Sequence, residues 1–428
     1  MRRSVQTLLT ILIVLAIWAG ILWMLSSPSP NWRLSALTGR IKYALNPPEQ
    51  AVFVPASQAT EVAPAVTRAA LSPTATIRLA TPTLEPTVPA ATATTTLTPT
   101  PMPARASLSG VTHMYQMWNN CGPANLAMAL SFWGWQGDQR TTAAFLKPNE
   151  RDRNVMPYEM ETFVEQEAGL EAFTRTGGDL TMIKAFVSAG YPVIVEKGFE
   201  GVGFDGWMGH YQVVTGYDDA TNRFTVQDSY KGPDYPVKYE DFLRDWRAFD
   251  YTYLVIYPPE RHQQILDILG LHAYDNFNNR FALLKTEEEL PNLSGRDRFF
   301  ALFNQGTDLV ASQEYSQAAA AYDAAFAAYA ELPENARPWR MLWYQTGPYF
   351  AYYFTGRYID VITLATQTLE ASSEQVLEES FYWRARALLA SGDEASAIED
   401  LQACLEAHPG FEPCEEELFK LGIEPVPN

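Results

Sequence analysis

Apolar residues follow three different patterns along the chain, and each pattern predicts a different kind of element. An apolar run from Leu8 to Leu25, which contains no charged residue, has about the length of a bilayer-spanning helix. Between residues 108 and 258, helical periods alternate with short extended runs, which is typical of an α+β fold with an antiparallel sheet. From about residue 259 to 428 the pattern is helical only. The chain is therefore predicted to contain an anchor, an α+β domain and an all-α domain.

The first 28 residues are predicted to form an uncleaved transmembrane anchor. Arg2 and Arg3 precede the apolar run, and no convincing small-residue cleavage site follows Trp23, as a signal peptide would require. Positive charge before the span favours a cytoplasmic N-terminus, so we expect a single-pass cell-membrane protein whose other domains are extracytoplasmic. Residues 29–107 become rich in Thr, Ala and Pro, bury too little to offset chain entropy and are predicted to be a disordered linker.

A single cysteine stands where a turn is predicted to become a helix. Asn119 and Asn120 are residue types that cap helices, Pro123 suits a first helical turn, and an apolar run continues to Phe132. The unpaired N–H groups and the positive end of the helix dipole favour a thiolate over a thiol at Cys121. The sequence therefore predicts a nucleophile; a buried structural cysteine is the alternative.

A histidine and a carboxylate are predicted to meet on one hairpin. His210 opens a predicted strand that runs to Tyr217, and a second strand begins at Arg223. Pairing Tyr217 with Arg223 across the turn fixes the register. In that register Asp228 falls opposite Gln212 and one diagonal step from His210. We therefore expect His210 to be the base that holds the thiolate and Asp228 to orient the imidazole.

Further assignments leave alternatives open. Asp205 and Asp218 are alternatives for the orienting carboxylate, although Asp218 is more simply a turn residue. Gln116, on the loop before Cys121, is expected to donate a side-chain N–H to an oxyanion, beside the backbone N–H of Cys121. The glycine-rich stretch 198–209 is either a mobile wall over the cysteine or an ordinary connection.

The order Gln, Cys, His, Asp resembles the papain-like cysteine peptidases, in particular the bacteriocin-processing, double-glycine-leader peptidase family and its non-exporter relatives. The resemblance implies a papain-like α+β fold, a Cys121 nucleophile, a His210 base, Asp228 orienting the imidazole and Gln116 in the oxyanion hole. Two positions depart from the family pattern. Asn120 replaces the acidic residue usual in exporters, and Gln116 is one residue nearer the cysteine than usual. The matching residues are Gln116, Cys121–Ala124, Gly209–Tyr211, Val213, Val214, Gly216, Tyr217, Asp228 and Ser229.

Small and aromatic residues recur at similar spacings in the predicted all-α domain, residues 259–428. The pattern around Ala318 returns around Val361 and Ala397 and resembles tetratricopeptide repeats. The resemblance implies stacked helical hairpins that present a concave surface to a peptide or protein partner; an ordinary helical bundle is the alternative. Aromatic residues of the middle copy are expected to be mostly inter-helix core, with a binding groove as the alternative. These residues are Tyr344, Tyr349, Phe350, Tyr352, Tyr353, Phe354 and Tyr358.

Composition narrows the classes of partner. A net charge of -19 disfavours nucleic acid or anionic lipid. Of the three cysteines, Cys404 and Cys414 are placed to form a disulfide in an oxidising compartment, which would leave Cys121 as the free thiol. No cluster of His, Cys and carboxylates has metal-ligand spacing, and no phosphate-binding glycine loop follows a strand, so neither a metal nor a cofactor is predicted.

These features together predict a membrane-anchored cysteine peptidase that hydrolyses peptide bonds, with helical repeats that recognise a protein or peptide. Two alternatives belong to other classes. The first is a catalytically silent, peptidase-like binding or scaffold protein. The second is an acyltransferase of transglutaminase type, which would use the same order of Cys, His and Asp.

Overall fold

The structure is a computed structural model of the chain. The predicted span from Leu8 to Leu25 lies outside the residues that it describes, apart from two positions within the span. Among the residues that are described, no helix is both long and apolar enough to cross a membrane. The described residues are Trp18, Gly20, 51–56, 102–149, 154–200, 206–372 and 375–424.

The strands in this part of the chain form one seven-stranded antiparallel sheet. They are β1 (Arg105–Ser107), β2 (Glu171–Arg175), β3 (Val193–Phe199), β4 (Met208–Asp218), β5 (Arg223–Asp228), β6 (Gly232–Lys238) and β7 (Tyr253–Tyr257). Their order is β2-β7-β3-β4-β5-β6, and β1 pairs with the end of β4 next to the hairpin turn. β3 and β7 are buried along their whole length, because helices cover both faces of the sheet.

Alternate residues of the sheet pack into two separate cores. Ile194 and Val213 belong to a core that includes Leu126, whereas Val193 and Val195 belong to a core on the other side. This alternation is what a strand with a period of two produces between two helical layers. The helices of the two layers are α1 (Cys121–Phe132), α2 (Gln139–Leu146), α3 (Pro157–Glu167), α4 (Leu180–Ser188) and α5 (Tyr239–Arg247).

The chain that follows the sheet is helical, so the predicted α+β fold followed by an all-α region is confirmed. Successive helices pack against each other as hairpins, with close contacts for α8 with α9, α10 with α11 and α12 with α13. The assignment of these hairpins to tetratricopeptide repeats stays a prediction. The helices are α6 (His262–Leu269), α7 (Asp275–Glu289), α8 (Gly295–Ala311), α9 (Tyr315–Glu331), α10 (Gly347–Phe354), α11 (Tyr358–Ala371), α12 (Glu378–Ser391), α13 (Glu394–Ala407) and α14 (Glu412–Lys420).

The predicted register of the β4–β5 hairpin is wrong at its turn. Tyr217 pairs with Phe224, one position away from the predicted partner Arg223. A β-bulge between Val214 and Gly216 then adds one residue to β4 and shifts the pairing by one. Beyond the bulge, the pairing is therefore the one that the sequence predicted.

Two parts of the predicted linker belong to the folded body. Phe53 is only 4% exposed, and its ring lies edge-on to Phe326 with 4.9 Å between centroids. The backbone N–H of Ala56 donates to Asp360 Oδ1 at 2.7 Å. Strand β1 also lies before residue 108, where the peptidase-like domain was predicted to begin. The packing of a single phenylalanine against distant helices leaves no periodic signal in the sequence.

The helical region is attached directly to the end of the sheet. Asn304 Nδ2 donates to the carbonyl of Arg247 at 2.7 Å, and Gln345 Nε2 donates to the carbonyl of Ala248 at 2.8 Å. These bonds join α8 and the segment before α10 to the end of α5 and the residue after it. The helical region is therefore packed against the α+β part of the chain at the end of α5.

A disulfide joins the last two helices of the described chain. Cys404 on α13 is bonded to Cys414 on α14, as the cysteine count predicted, and both residues are fully buried. Cys121 is thus the free cysteine.

Removal of this disulfide is expected to destabilise the helical region. The double variant Cys404→Ala/Cys414→Ala should lower the free energy of unfolding by about 3 kcal/mol, because the bond closes a loop of 10 residues in the unfolded chain. Denaturant titration of both proteins measures the difference. Dithiothreitol should lower the stability of the parent protein to that of the variant and leave the variant unchanged; an equal effect on both would contradict the assignment.

Candidate active site

Cys121 is the first residue of α1, as the sequence predicted, and it is partly exposed. Asn120 precedes the helix but does not cap it with its side chain; its Nδ2 donates to Gln139 Oε1 at 3.0 Å. Gly122 is required by close packing, because a Cβ at this position would lie 3.0 Å from Cβ of Val155. The sulfur is thus held at a helix N-terminus that is packed tightly against its neighbours.

His210 and Asp228 lie together, at the diagonal positions of the hairpin that the sequence predicted. Nε2 of His210 is 3.1 Å from Oδ1 of Asp228, and the two residues are 3% and 0% exposed. The same Oδ1 accepts the backbone N–H groups of Tyr230 and Lys231, each at 2.8 Å. Gln212 Nε2 donates to Oδ2 at 2.5 Å. The buried carboxylate therefore has donors on both oxygens.

These contacts shift the pKa values of both groups toward their charged forms. Burial disfavours the charge on Asp228 most strongly, but the charge and hydrogen bond of His210, with the donors from Lys231 and Gln212, lower the pKa of Asp228 below its usual value. For His210, burial is again the largest influence and favours the neutral ring. Asp228 and then Cys121 outweigh it and raise the pKa of His210 to about 9. An imidazolium is therefore favoured at neutral pH.

The imidazole also contacts the sulfur. Burial is the largest influence on Cys121 and raises the pKa of its thiol. The hydrogen bond and charge of His210, the backbone N–H of Tyr211 and the charge of Lys147 together outweigh burial, so the pKa of Cys121 falls below 9.0. The geometry thus favours a thiolate paired with an imidazolium. Since Nε2 of His210 bonds to the carboxylate, Nδ1 is the ring atom left for the sulfur.

Gln116 lines the cleft beside Cys121, and a short chain of hydrogen bonds holds its amide. Ser229 donates its hydroxyl proton to Oε1 of Gln116 at 2.8 Å, and Asn125 Nδ2 donates to Oγ of Ser229 at 3.0 Å. The backbone N–H of Gln116 donates to the carbonyl of Ser229 at 2.9 Å. These bonds fix the amide oxygen of Gln116 on Ser229.

Sequence reasoning missed the residues that support the site. Gln139 fixes the loop that carries Gln116, because it donates to the carbonyl of Tyr115 at 2.8 Å and accepts the N–H of Met117 at 2.7 Å. Lys147 holds the carbonyl of Asn119 at 2.7 Å. No local sequence pattern around Gln139 or Lys147 indicates this supporting role. The position of Gln212 could have been recognised, because it lies two residues after His210 and therefore on the same face of the strand.

Asp218, one of the two alternatives for the orienting carboxylate, lies away from His210. Asp218 is at the hairpin turn, where its Oδ1 accepts the N–H of Ala220 at 2.9 Å. Asp205 lies outside the described residues, as does the middle of the glycine-rich stretch, residues 201–205. His113 lies near the site, but its Nε2 is 3.0 Å from the backbone carbonyl of Asp228 and not from its carboxylate. Within the described ranges, no three metal-ligating side chains cluster.

The helical region supplies part of the wall of the cleft that contains Cys121. Arg340, Trp343 and Tyr344 line it together with His210. Gly209 has no room for a side chain, because a Cβ there would lie 2.8 Å from the ring of Phe249 and 3.1 Å from that of Tyr344. The strand that carries His210 is therefore packed directly against the helical region.

The ion pair predicts a bell-shaped dependence on pH for the rate of a reaction that uses both Cys121 and His210. The rate should rise as Cys121 ionises and fall near pH 9, because the raised pKa of His210 means that its proton is lost there. Asp228→Asn removes the charge that raises this pKa, so the alkaline limb should move to lower pH. Asp218→Asn is the matched control and should leave the limb in place. An unchanged alkaline limb in Asp228→Asn would refute this coupling, and kcat/KM measured between pH 5 and pH 10 decides it.

A comparison with family models relates part of the chain to a known family. A search of curated proteins found no significant match. A solved structure from Bacillus anthracis, described as that of a C39-like peptidase, is 19% identical, with a TM-score of 0.30 over 36% of this chain and 96% of that chain. Among family models, that of the Peptidase_C39 like family matches residues 108–254. That segment of the chain, which includes Gln116, Cys121, His210 and Asp228, is therefore similar to the Peptidase_C39 like family.

Proposed function

We propose that the protein is a cysteine peptidase that hydrolyses peptide bonds through Cys121, His210 and Asp228. One observation carries the proposal. The buried imidazole of His210 contacts both the sulfur of Cys121, at a helix N-terminus, and the carboxylate of Asp228, which accepts hydrogen bonds at both oxygens. This arrangement keeps a nucleophilic thiolate next to the imidazolium of His210, which can donate a proton. Cleavage of an amide requires both groups.

In the proposed reaction, the thiolate of Cys121 attacks the carbonyl carbon of the substrate and forms a tetrahedral oxyanion. The side-chain N–H of Gln116 and the backbone N–H of Cys121 stabilise the oxyanion. His210 then gives its proton to the leaving amine, and the carbon–nitrogen bond breaks to leave a thioester. Finally, His210 takes a proton from water, which attacks the thioester and releases the carboxylate and the thiolate.

Asp228 acts through His210 in this mechanism. Its hydrogen bond to Nε2 fixes the orientation of the ring, and its charge stabilises the imidazolium. Ser229 and Asn125 act through Gln116, because they hold its amide oxygen away from the oxyanion. The helical region is proposed to recognise the substrate. The apolar run from Leu8 to Leu25 stays a sequence-based prediction of a membrane anchor, on which the chemistry does not depend.

Product analysis in isotopic water tests the proposal. The full chain is incubated with unfolded casein in H₂¹⁸O that also contains an excess of methylamine, and new chain ends are identified by mass spectrometry. Hydrolysis should give new peptide ends whose carboxylates carry ¹⁸O. Methylamide on glutamine side chains would instead indicate the transglutaminase-type acyltransferase. Absence of any new product would favour the catalytically silent binding protein.

A further inference from the structure

A second cavity lies beside the candidate active site, where the helical region meets the sheet. Its volume is about 560 Å³, which is within the ~300–1,000 Å³ typical of ligand pockets. Glu196 and Tyr344 line both this cavity and the cleft that contains Cys121. The two spaces are therefore neighbours that share these two lining residues.

Aromatic side chains from both parts of the chain contribute to the lining of the cavity. Tyr158 comes from α3, whereas Phe350, Phe354 and Trp383 come from the helical region. Phe354 is 48% exposed, and its ring is stacked on Tyr315 with 4.6 Å between centroids. Large apolar groups left open to solvent within a concave surface indicate a binding site for another apolar group.

The lining of the cavity also contains polar groups that can bond to a peptide. Burial raises the pKa of Glu196 well above its usual value, so the wall shared with the cleft favours a neutral carboxyl. Arg386 lies in the lining and donates to the hydroxyl groups of Tyr382 and Tyr353 at 3.3 and 3.4 Å. A guanidinium has five N–H donors, so further donors remain for a peptide carbonyl.

The helical region holds an apolar segment of its own chain at another place. Phe53 and its neighbours pack near Phe326 and Asp360, and neither of these residues lines the cavity beside the cleft. The cavity is therefore separate from the place where Phe53 packs. Its position next to the cleft that contains Cys121 points to the substrate as its occupant.

We propose that this cavity binds an apolar, aromatic-containing segment of the peptide substrate, a few residues from the bond that Cys121 attacks. The inference rests on the proposed peptidase function and adds the chemical class of the substrate. Binding of a remote segment would hold the scissile carbonyl near the sulfur and so contribute to the rate as well as to affinity.

Peptide retention tests the inference without catalysis. The full chain carrying Cys121→Ala is immobilised and exposed to a pool of peptides of about ten residues from a casein digest, and the retained peptides are identified by mass spectrometry. We expect enrichment of peptides with aromatic and large apolar residues. Adding Phe354→Ala should lower the retention of these peptides about tenfold, because one large apolar contact is lost.

Phe419→Ala is the matched control, since Phe419 is 77% exposed on α14 and does not line the cavity. Added to the Cys121→Ala chain, Phe419→Ala should leave the retention of the peptides unchanged. Equal retention by the Phe354→Ala and Phe419→Ala proteins, or no enrichment in the parent, would overturn the inference. Hydrolysis of the same pool by the chain with Cys121 intact is scored separately. If the pool is cleaved but Phe354→Ala does not lower retention, only the proposal for the cavity is rejected. If peptides are retained but none is cleaved, the peptidase proposal is rejected.

Discussion

Replacement of Cys121 with alanine is expected to lower peptide hydrolysis by a factor of about 10⁴ to 10⁶. A nucleophile that forms a covalent intermediate has no substitute in the site, and water alone lacks the activation that His210 gives to the sulfur. The measurement is kcat/KM on a peptide that the parent protein cleaves. Retained hydrolysis in Cys121→Ala would defeat the peptidase proposal.

The same variant gives a second, independent reading through thiol labelling. The sequence contains three cysteines, and the other two are joined in a disulfide, so iodoacetamide should modify the parent protein only at Cys121. Labelling at neutral pH should be fast in the parent, because the pKa of this thiol is lowered, and absent in Cys121→Ala. Unchanged thermal unfolding of the variant provides the control for folding.

Replacement of His210 with alanine is expected to lower hydrolysis by about 10³ to 10⁴ and to suppress labelling of Cys121 at neutral pH. The loss of rate follows from the missing proton donor and base. Labelling should be lost because burial raises the pKa of Cys121, and the hydrogen bond and charge of His210 that lower it would be missing. The pKa of Cys121 would therefore rise. Labelling rates measured from pH 5 to pH 10 give this pKa directly.

His113→Ala is the matched control for His210→Ala. His113 contacts the backbone carbonyl of Asp228 but not its carboxylate, so its removal should leave the pKa of Cys121 unchanged. Equal effects of the two substitutions would mean that the site depends on the general packing of histidines around Asp228. It would then not depend on an ion pair with the sulfur.

The positions of Cys121, His210 and Asp228 were predictable because each follows from a local pattern. A helix start places Cys121, a strand start places His210, and the twofold period of a hairpin places Asp228 on the correct face. The bulge after Val214 was not predictable from the alternation of residues. The predicted pairing at the turn was also wrong by one residue. The bulge shifts the pairing by one residue in the opposite direction, so the predicted pairing holds beyond it.

The surroundings of the site were not predictable, because they depend on contacts between distant parts of the chain. Gln139 holds a loop more than twenty residues earlier, and Tyr344 packs against a strand that ends before residue 220. The aromatic residues near position 350 were expected to be mainly inter-helix core. Tyr349 and Tyr352 are indeed fully buried, whereas Phe354 is half-exposed in the second cavity. Periodicity identifies an apolar helix face but not the surface that covers it.

The packing of Phe53 has a consequence for the sequence between Ala56 and Met102. Residues 57–101 are long enough to span about 150 Å when fully extended. The residues on either side of this sequence, however, belong to the same folded body, because Phe53 packs against Phe326 and β1 pairs with β4. The distance between the two ends of this sequence is therefore set by the folded body and not by the number of residues between them.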